Sequence, residues 1–265
     1  MTLYSVSVLL LLLAASQAQP VPGPEENHLP QEDDIVDISE KILASNNNSA
    51  TFLMEGDLLP PKNRNAMKCA YQSCLWPKGS DGLVTIAYTI SGEFDWHETS
   101  VITSALKDFE DKTCIRFVPR RYESDYISIE SQNGCFSALG RQGGRQTLSL
   151  QKYGCVYKGI GIHELNHALG FQHEQTRSDR DQYVQINWNN MDQAMAYNFF
   201  KYDTNNLNTP YDYGSIMHYG KTAFSINGRD TISPLTNTFV EIGQRKELSS
   251  WDIKRINMLY SCTNY

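Results

Sequence analysis

The feature that most constrains this chain is a histidine cluster of fixed spacing in the stretch GIHELNHALGFQHEQTR, which contains His163, His167 and His173. Residues four apart lie on one face of a helix, so HELNH brings two imidazoles together. Gly170 stands where the chain must leave that helix, and the turn brings His173 round to the same place. Three neutral imidazole nitrogens around one divalent cation leave a coordination position open. This arrangement is typical of a catalytic zinc site rather than a closed structural one.

Two further residues extend the pattern into a longer signature. Glu164 follows the first histidine, where its carboxylate can accept a proton from a water molecule at the site. The spacing HExxHxxGxxH followed by a methionine turn is the metzincin signature, and SIMHYG supplies Met217 as the candidate turn residue. The alternatives are a chance run of histidines on a surface helix and a secreted zinc-binding protein without catalysis. The full spacing argues against the first and Glu164 against the second.

Charge is unevenly distributed along the 265 residues. Residues 1–64 hold 3 Lys+Arg against 9 Asp+Glu, a net charge of −6, whereas residues 65–265 hold 20 against 21, a net charge of −1. No part of the chain has the basic footprint of a nucleic-acid-binding protein, so we expect no nucleic-acid partner. The length and the 40% hydrophobic content suffice for one sizeable globular domain or two small ones.

The first residues, MTLYSVSVLLLLLAASQAQP, resemble a signal peptide. The apolar run of about ten residues has the length of a signal-peptide core and is too short to span a bilayer. Small residues favour cleavage after Ala18, and the alternative of a buried N-terminal helix is disfavoured by Pro20, Pro22 and Pro24. No later stretch predicts a membrane anchor. We therefore expect a secreted protein, either extracellular or stored in secretory granules.

Six cysteines agree with export, and all of them follow residue 64. An even number in an exported chain indicates three disulfides, for which counting alone allows fifteen pairings. A zinc ribbon is the alternative, but it needs paired CxxC-like spacings, and only the first two cysteines lie close together. The six are Cys69, Cys74, Cys114, Cys135, Cys155 and Cys262.

Hydrophobic periodicity predicts regular structure in the first half of the globular region and in its last helix. We expect strands at 83–90, 115–120 and 126–131, a long amphipathic helix at 97–114, and a Gly-rich turn leading into a strand within 140–151. Residues from about 175 to 246 lack periodicity and should be largely irregular. The closing helix within 248–262 should bury Trp251, Ile256, Met258 and Leu259. Residues 19–45 have a composition typical of poor order, with one possible short helix in DIVDISEKILASN.

Together these motifs resemble the astacin family of metzincin endopeptidases over essentially all of residues 65–265. Glu174, directly after the third histidine, and SIMHYG, with Tyr219, carry the resemblance. It implies an α+β catalytic domain in two lobes. The N-terminal lobe would hold a twisted, mostly parallel sheet and two long helices. The C-terminal lobe would be mostly irregular, with zinc in the cleft between the lobes.

The resemblance also implies roles for the site residues. One Zn²⁺ would be bound by His163, His167 and His173. Tyr219 would be a further zinc ligand at rest and would stabilise the oxyanion when substrate binds. Glu164 would act as the general base toward a zinc-activated water.

The same resemblance implies a role for residues 1–64, which we call the front segment. Residues 1–18 would be a signal peptide, 19–64 a propeptide and 65–265 the catalytic domain. Asp57 in FLMEGDL would coordinate the zinc in the precursor and displace its water. Cleavage between Arg64 and Asn65 would free an amino group that meets Glu174. Asn47 lies in the only glycosylation sequon. The implied disulfides are Cys69–Cys74, Cys114–Cys262 and Cys135–Cys155.

We therefore expect a monomeric, secreted zinc endopeptidase that is made as a zymogen, activated by another protease, and active on extended proteins or peptides. The substrate would lie antiparallel to the strand in RQTLSL, which resembles the family's edge strand. Six-cysteine fish astacins include hatching enzymes, which digest the egg envelope, and nephrosin. Their motifs are shared, and the near-neutral charge of residues 65–265 slightly favours the nephrosin-like interpretation.

Overall fold

A five-stranded sheet forms the N-terminal lobe in the computed structural model, which describes residues 37–47, 49–60, 74–236, 240–244, 246–263 and 265. The strand order is β2-β1-β3-β5-β4, and all neighbours are parallel except β4 and β5. The expected twisted, mostly parallel sheet is therefore present. Its strands are β1 Val84–Ile90, β2 Ile115–Pro119, β3 Tyr126–Glu130, β4 Cys135–Ser137 and β5 Arg145–Leu150.

The position of β5 corrects one expectation. The stretch RQTLSL was expected at the sheet edge, but it pairs with β3 on one side, through Tyr126 and Arg145, and with β4 on the other, through Phe136 and Ser149. The strand at this edge of the sheet is β4, which is only three residues long, and β2 lies at the opposite edge. So short a strand carries no periodic signal, because alternation needs at least four residues to be visible.

Two long helices pack on this sheet. α2 Trp96–Glu110 begins with a capping box between Asp95 and Glu98, and it ends four residues earlier than predicted, because the chain turns there to enter β2. α3 Lys158–Ala168 is buried along almost its whole length. A side chain at Gly161 would place its Cβ 2.9 Å from that of Ala105, so glycine is what allows α2 and α3 to lie so close. No helix in the described ranges has the length and apolar content of a bilayer span.

The C-terminal lobe is mostly irregular, as expected. It contains short 3-10 helices and a two-stranded antiparallel sheet of β6 Val184–Ile186 and β7 Ile232–Pro234. A second apolar core, separate from that of the N-terminal lobe, holds it together. Its fully buried members include Phe199 and Ile232. The two cores explain the two lobes.

The last helix, α4 Ser250–Leu259, buries a different face from the predicted one. Ile256 is buried as expected and Leu259 packs half-buried against the core, but Trp251 is only half-buried. Met258 is 43% exposed, so the expectation was wrong for that residue. The buried positions are instead taken by two charged side chains, Asp252 and Arg255. Periodicity of apolar residues could not reveal this face, because both side chains are buried to bind partners elsewhere in the chain.

Among the residues that the structure describes, two complete disulfides cross-link the chain, over sequence separations of 148 and 20 residues. Cys114, just before β2, is bonded to Cys262 after α4, and Cys135 in β4 is bonded to Cys155 ahead of α3. Closing loops of this size stabilises a fold by about 3–5 kcal/mol each in the chain-entropy account.

The front segment is folded onto both lobes. Residues 37–45, expected to be poorly ordered, lie in or beside α1 Ile38–Asn46, which buries Ile38 and Ile42 in the core of the N-terminal lobe. The Asn46 side chain bonds both the backbone N–H and the carbonyl of Cys135, at 2.7 Å each. Leu58 then pairs in parallel with Ser137. The front segment therefore covers the edge of the sheet at β4.

Candidate active site

Helix α3 and the turn after it position the three histidines. His163 and His167 lie one turn apart, and the helix ends at Ala168. Gly170 has φ +107°, a conformation that disfavours residues with a Cβ, and the N–H of Phe171 donates to the carbonyl of Asn166 at 3.1 Å. This left-handed end reverses the chain and delivers His173 to the face that the other two occupy.

The three imidazoles converge with the carboxylate of Asp57. The Nε2 atoms of His163 and His173 are 3.2 Å apart, and one ligand atom from each of the four residues lies within 4.8 Å of all the others. All four side chains are buried. The structure thus brings together the three predicted histidine ligands and the predicted front-segment aspartate.

The donor set fits a zinc ion. Nδ1 of His163 donates to the Ile216 carbonyl at 2.8 Å, and Nδ1 of His167 donates to the Phe171 carbonyl at 2.7 Å. These bonds fix the tautomers so that each Nε2 offers a lone pair to the centre. Nε2 of His167 and Oδ1 of Asp57 are buried with no hydrogen-bond partner among the described residues. A cation bound there would supply that missing partner.

Asp57 carries the charge that balances this centre. Its Oδ2 lies 3.1 Å from Nε2 of His163 and 3.3 Å from Nε2 of His173, and its Oδ1 lies 3.4 Å from Nε2 of His167. Burial opposes ionisation of Asp57, but the histidines outweigh it, so the pKa of Asp57 lies well below its ordinary value. Burial likewise opposes a charged His173, yet Asp57 and Glu55 raise the pKa of His173 to about 9.

Glu164 is the carboxylate of the signature. It is fully buried, and neither of its oxygens has a hydrogen-bond partner in the described part of the chain. Burial and the negative charge of Asp57 raise its pKa well above the ordinary value. A buried carboxylate with a raised pKa and free lone pairs is suited to exchanging protons with a reacting molecule.

The methionine turn lies beneath the cluster. Met217 is buried, and the carbonyl of the residue before it holds His163. Asp252 of α4 fixes this turn by accepting from the Ser215 hydroxyl at 2.6 Å and from the Ile216 N–H at 2.9 Å. Sequence reasoning missed Asp252. The capping pattern of Ser249 and Asp252 was visible in LSSWD, but it gave no sign of the contact with residues 215 and 216.

Tyr219 adopts an arrangement that the sequence did not suggest. Its ring lies 4.5 Å from that of His173, and its hydroxyl donates to the backbone carbonyl of Glu55 in the front segment. In this form of the protein the hydroxyl is therefore engaged by the front segment. The expected role of Tyr219 as a zinc ligand applies to a form without that segment and stays a prediction.

Glu174 is buried in a cluster of arginines. Its carboxylate accepts from Arg255 at 2.7 and 3.0 Å, from Arg177 at 3.2 Å and from the backbone N–H of Asp212 at 2.7 Å. Burial raises the pKa of Glu174, although the two arginines act in the opposite direction. Neither arginine was identified from the sequence, because they lie 3 and 81 positions away with no motif linking them.

Some predicted residues lie outside the described ranges. These are the expected signal peptide of residues 1–18, with its cleavage site after Ala18, and Arg64, Asn65 and Cys69. Cys74, the expected partner of Cys69, is disulfide-bonded. Asn47 of the sequon lies at the end of α1, and its side chain is exposed to solvent.

The arrangement of these elements identifies the type of enzyme. A mostly parallel sheet, a helix carrying two histidines, a glycine turn to the third and a methionine turn beneath them together make a zinc peptidase of the metzincin type. The model of the Astacin peptidase family matches residues 70–261 of this chain. The chain belongs to the astacin family, and it is a zinc-dependent endopeptidase.

Individual relatives agree over nearly the whole length. High choriolytic enzyme 1 of Oryzias latipes is 60% identical over 261 residues, which cover 96% of each chain. The low choriolytic enzyme of the same fish is 49% identical over 262 residues, covering 96% of this chain and 97% of its own. The solved structure of high choriolytic enzyme 1, described as a hatching enzyme zinc-protease, has a TM-score of 0.72 and 62% identity. It covers 75% of this chain and 100% of its own.

Proposed function

We propose that this protein is the secreted precursor of a hatching enzyme, a zinc endopeptidase that digests proteins of the chorion. The observation that carries the proposal is the convergence of three buried imidazoles beside an unpartnered Glu164. The choriolytic names of relatives that match over 96% of the chain support the substrate. They favour this interpretation over the nephrosin-like one, which net charge alone had slightly favoured.

The chain's own residues account for peptide hydrolysis in a few steps. Bound zinc would be held by His163, His167 and His173, and it would supply Lewis-acid polarisation and acidification of water. Glu164 takes the proton of the attacking water and passes it to the nitrogen of the leaving amine. The Tyr219 hydroxyl donates a hydrogen bond to the oxyanion of the tetrahedral intermediate, once it is released from Glu55.

Latency would follow from the front segment. We divide the chain into a signal peptide of residues 1–18, a propeptide of 19–64 and a catalytic domain of 65–265. Asp57 lies within 3.4 Å of all three histidines and would take the position that the reacting water needs. The segment also bonds to β4 through Ser137, whose N–H donates to the Asp57 carbonyl at 3.0 Å. Substrate would need the same strand edge, so the two exclude each other.

Activation would be carried out by another protease that cuts between Arg64 and Asn65. The new amino group of Asn65 would then join the buried cluster around Glu174. That carboxylate is already paired with Arg255 and Arg177, and burial leaves its pKa raised. A further positive charge beside Glu174 would favour its ionised form. The new N-terminus would therefore join an ion-pair network that already exists in the precursor.

We also propose that the enzyme is exported from the cell. The apolar N-terminal run and the disulfides Cys114–Cys262 and Cys135–Cys155 support secretion, with storage in granules before release as a further proposal. The exposed Asn47 would carry a glycan that is lost with the propeptide. We propose that the processed enzyme acts as a monomer.

The function is tested with the full chain, secreted from eukaryotic cells and processed at Arg64. We expect the processed protein to degrade isolated chorion and gelatin, and excess chelator to abolish both activities. Glu164→Gln should retain zinc yet lose about 10²–10⁴-fold in rate, because an amide cannot accept the proton. Activity on gelatin without activity on chorion would contradict the hatching-enzyme assignment but not the peptidase. Turnover by Glu164→Gln at the wild-type rate would contradict the role of Glu164.

A further inference from the structure

A second buried carboxylate of the front segment faces the histidine cluster. Glu55, two residues before Asp57, is only 1% exposed. Its Oε2 lies 2.8 Å from Nδ1 of His173 and 3.4 Å from the hydroxyl of Thr176. A buried carboxylate is costly unless hydrogen bonds stabilise it. The donors to Glu55 all contact Oε2, whereas Oε1 has no hydrogen-bond partner in the described part of the chain, so the side chain is held by its contacts with residues 173 and 176.

The three histidines differ in where their outer hydrogen bonds come from. His163 and His167 donate to the carbonyls of Ile216 and Phe171, which belong to the catalytic domain. His173 alone donates to the front segment, through Glu55. Loss of that segment would leave the outer partners of the first two imidazoles in place and remove that of the third.

The hydrogen bond from His173 to Glu55 sets both the tautomer and the basicity of the imidazole. A carboxylate that accepts from Nδ1–H fixes the tautomer with the Nε2 lone pair toward the centre and makes the imidazole a more basic ligand. A backbone carbonyl does the same more weakly, because it carries no full charge. The third ligand therefore has the strongest outer partner, but only while the front segment is attached.

The backbone conformation of the turn at residues 54–57 independently indicates that Glu55 has a specific role. Glu55 has φ +48° and Gly56 has φ +81°, and the Asp57 N–H closes a turn on the Met54 carbonyl at 3.2 Å. A turn with two left-handed central residues favours Asn-Gly, and glutamate is an unfavourable first residue there. The turn does not explain glutamate, whereas the bond to His173 does. The Glu55 carbonyl also accepts from the Tyr219 hydroxyl, which holds the same backbone against the site.

We propose that Glu55 is a positioning residue of the precursor, which orients His173 and strengthens zinc retention until the front segment is removed. The proposal rests on the zinc peptidase function above and assigns a second part of the latency device besides Asp57. It implies that processing weakens zinc binding through His173 while leaving the supports of His163 and His167 unchanged.

The test measures zinc release from the uncleaved precursor into excess chelator. All chains carry Glu164→Gln, so that none can process itself. Glu55→Asn suits the turn better than glutamate but is too short to reach His173, and we expect it to speed zinc release about 10–100-fold. Glu55→Gln keeps a neutral acceptor and should show a smaller rise. Glu40→Gln, on the exposed face of α1 and bonded to Thr222, is the matched control and should release zinc at the wild-type rate.

Cleavage at Arg64 supplies a second comparison, because Glu55 leaves with the front segment and all processed chains become identical. Their zinc release should then be equal, which shows that the variants folded. Glu55→Asn and Glu55→Gln precursors that both retain zinc as the wild type does would overturn the proposal, as would an equal rise in Glu40→Gln. Chelator-sensitive hydrolysis by the wild-type processed chain is scored separately, so the peptidase function can stand when the role of Glu55 fails.

Discussion

Each imidazole of the site has one nitrogen bound to an outer partner and one directed to the centre. The outer partners are the Ile216 carbonyl, the Phe171 carbonyl and the Glu55 carboxylate. This division decides the chemistry at the residue scale, because it sets the tautomer of each ring without help from the metal.

The residue-scale prediction concerns Tyr219. In the processed enzyme, Tyr219→Phe should lower kcat about 10²–10³-fold with a smaller effect on KM, because the oxyanion loses a donor that acts mainly in the transition state. Steady-state kinetics on a fluorogenic peptide would measure both constants. Tyr213→Phe is the control, since its hydroxyl bonds the Tyr183 carbonyl in the same lobe and should leave kcat near the wild-type value. An unchanged kcat in Tyr219→Phe would remove the oxyanion assignment.

Among the helices and strands, α4 holds two segments that lie next to the histidine cluster. Its N-terminal turn holds residues 215 and 216 through Asp252, and its next turn places Arg255 against Glu174. Both contacts reach residues next to the histidine cluster, since the Ile216 carbonyl accepts from His163 and Glu174 directly follows His173. An element that seemed to contribute only apolar packing therefore fixes the methionine turn and the carboxylate after the third histidine.

Replacing Asp252 tests this support. Asp252→Ala removes the acceptor for the Ser215 hydroxyl and the Ile216 N–H, so we expect the free energy of unfolding to fall by about 1–3 kcal/mol. Zinc retention should also weaken, since the Ile216 carbonyl orients His163. Denaturant unfolding and chelator competition measure the two effects. Ser250→Ala, exposed in the same turn, should change neither. An unfolding free energy equal to that of the wild type would show that α4 is not needed to hold the turn.

The junction of α2 and α3 gives a pH prediction. Asp108 in α2 accepts from Lys158 at 2.9 Å and from Lys112 at 3.0 Å. Burial opposes its ionisation, but the lysines outweigh burial, so the pKa of Asp108 lies below its ordinary value. A lowered folded-state pKa means that the unfolded chain takes up the proton first. The stabilisation is therefore present above about pH 4 and is lost as pH falls through the folded-state pKa.

We expect Asp108→Asn to be less stable than the wild type by about 1 kcal/mol at pH 7, with the difference shrinking as the pH falls below about 4. Denaturant unfolding of both proteins at pH 7, 5 and 3 gives the difference directly, because other groups titrate equally in the two. Asp111→Asn, exposed just beyond the same helix, is the control and should show no such dependence. A difference that grows as the pH falls would reverse the sign assigned here.

At the scale of the whole molecule, the front segment is folded as part of the protein and not as a loose cover. It contributes Ile38 and Ile42 to the first core and pairs with β4 through Leu58. It also places Asp57 among the histidines. In the latency mechanism proposed above, anchoring contacts far from the site hold the Asp57 carboxylate in position, so latency would depend on the complete fold.

Asp57→Asn should loosen this arrangement without removing the anchors. A hydrogen bond or ligation to a charged group contributes about 1.5–3 kcal/mol, so the fraction of open precursor should rise about 10–100-fold. We expect a matching rise in gelatin hydrolysis by the uncleaved chain, followed while mass spectrometry verifies its length. The double variant Asp57→Asn, Glu164→Gln should stay inactive. An uncleaved Asp57→Asn chain as silent as the wild type would show that anchoring alone maintains latency.

Features that depend on residues near in sequence were predictable, whereas features that depend on distant residues were not. The three histidines, Glu164, Gly170 and the strands 84–90 and 115–119 were predictable, because helix geometry and alternation relate residues that are near in sequence. The edge strand β4 and the buried charges of α4 were not. Their signals depend on partners such as Leu150 and Ser215, which the chain brings close only when folded.

The metal-binding pattern and the class of chemistry could be predicted from the residues alone. This was possible because spacing along one helix and its terminal turn decides which side chains share a face. Only the tertiary structure decided which groups orient those side chains, namely Ile216, Phe171, Glu55 and Asp252. These partners act through backbone carbonyls or through contacts across up to 118 positions, and no local pattern of residue types encodes such a contact.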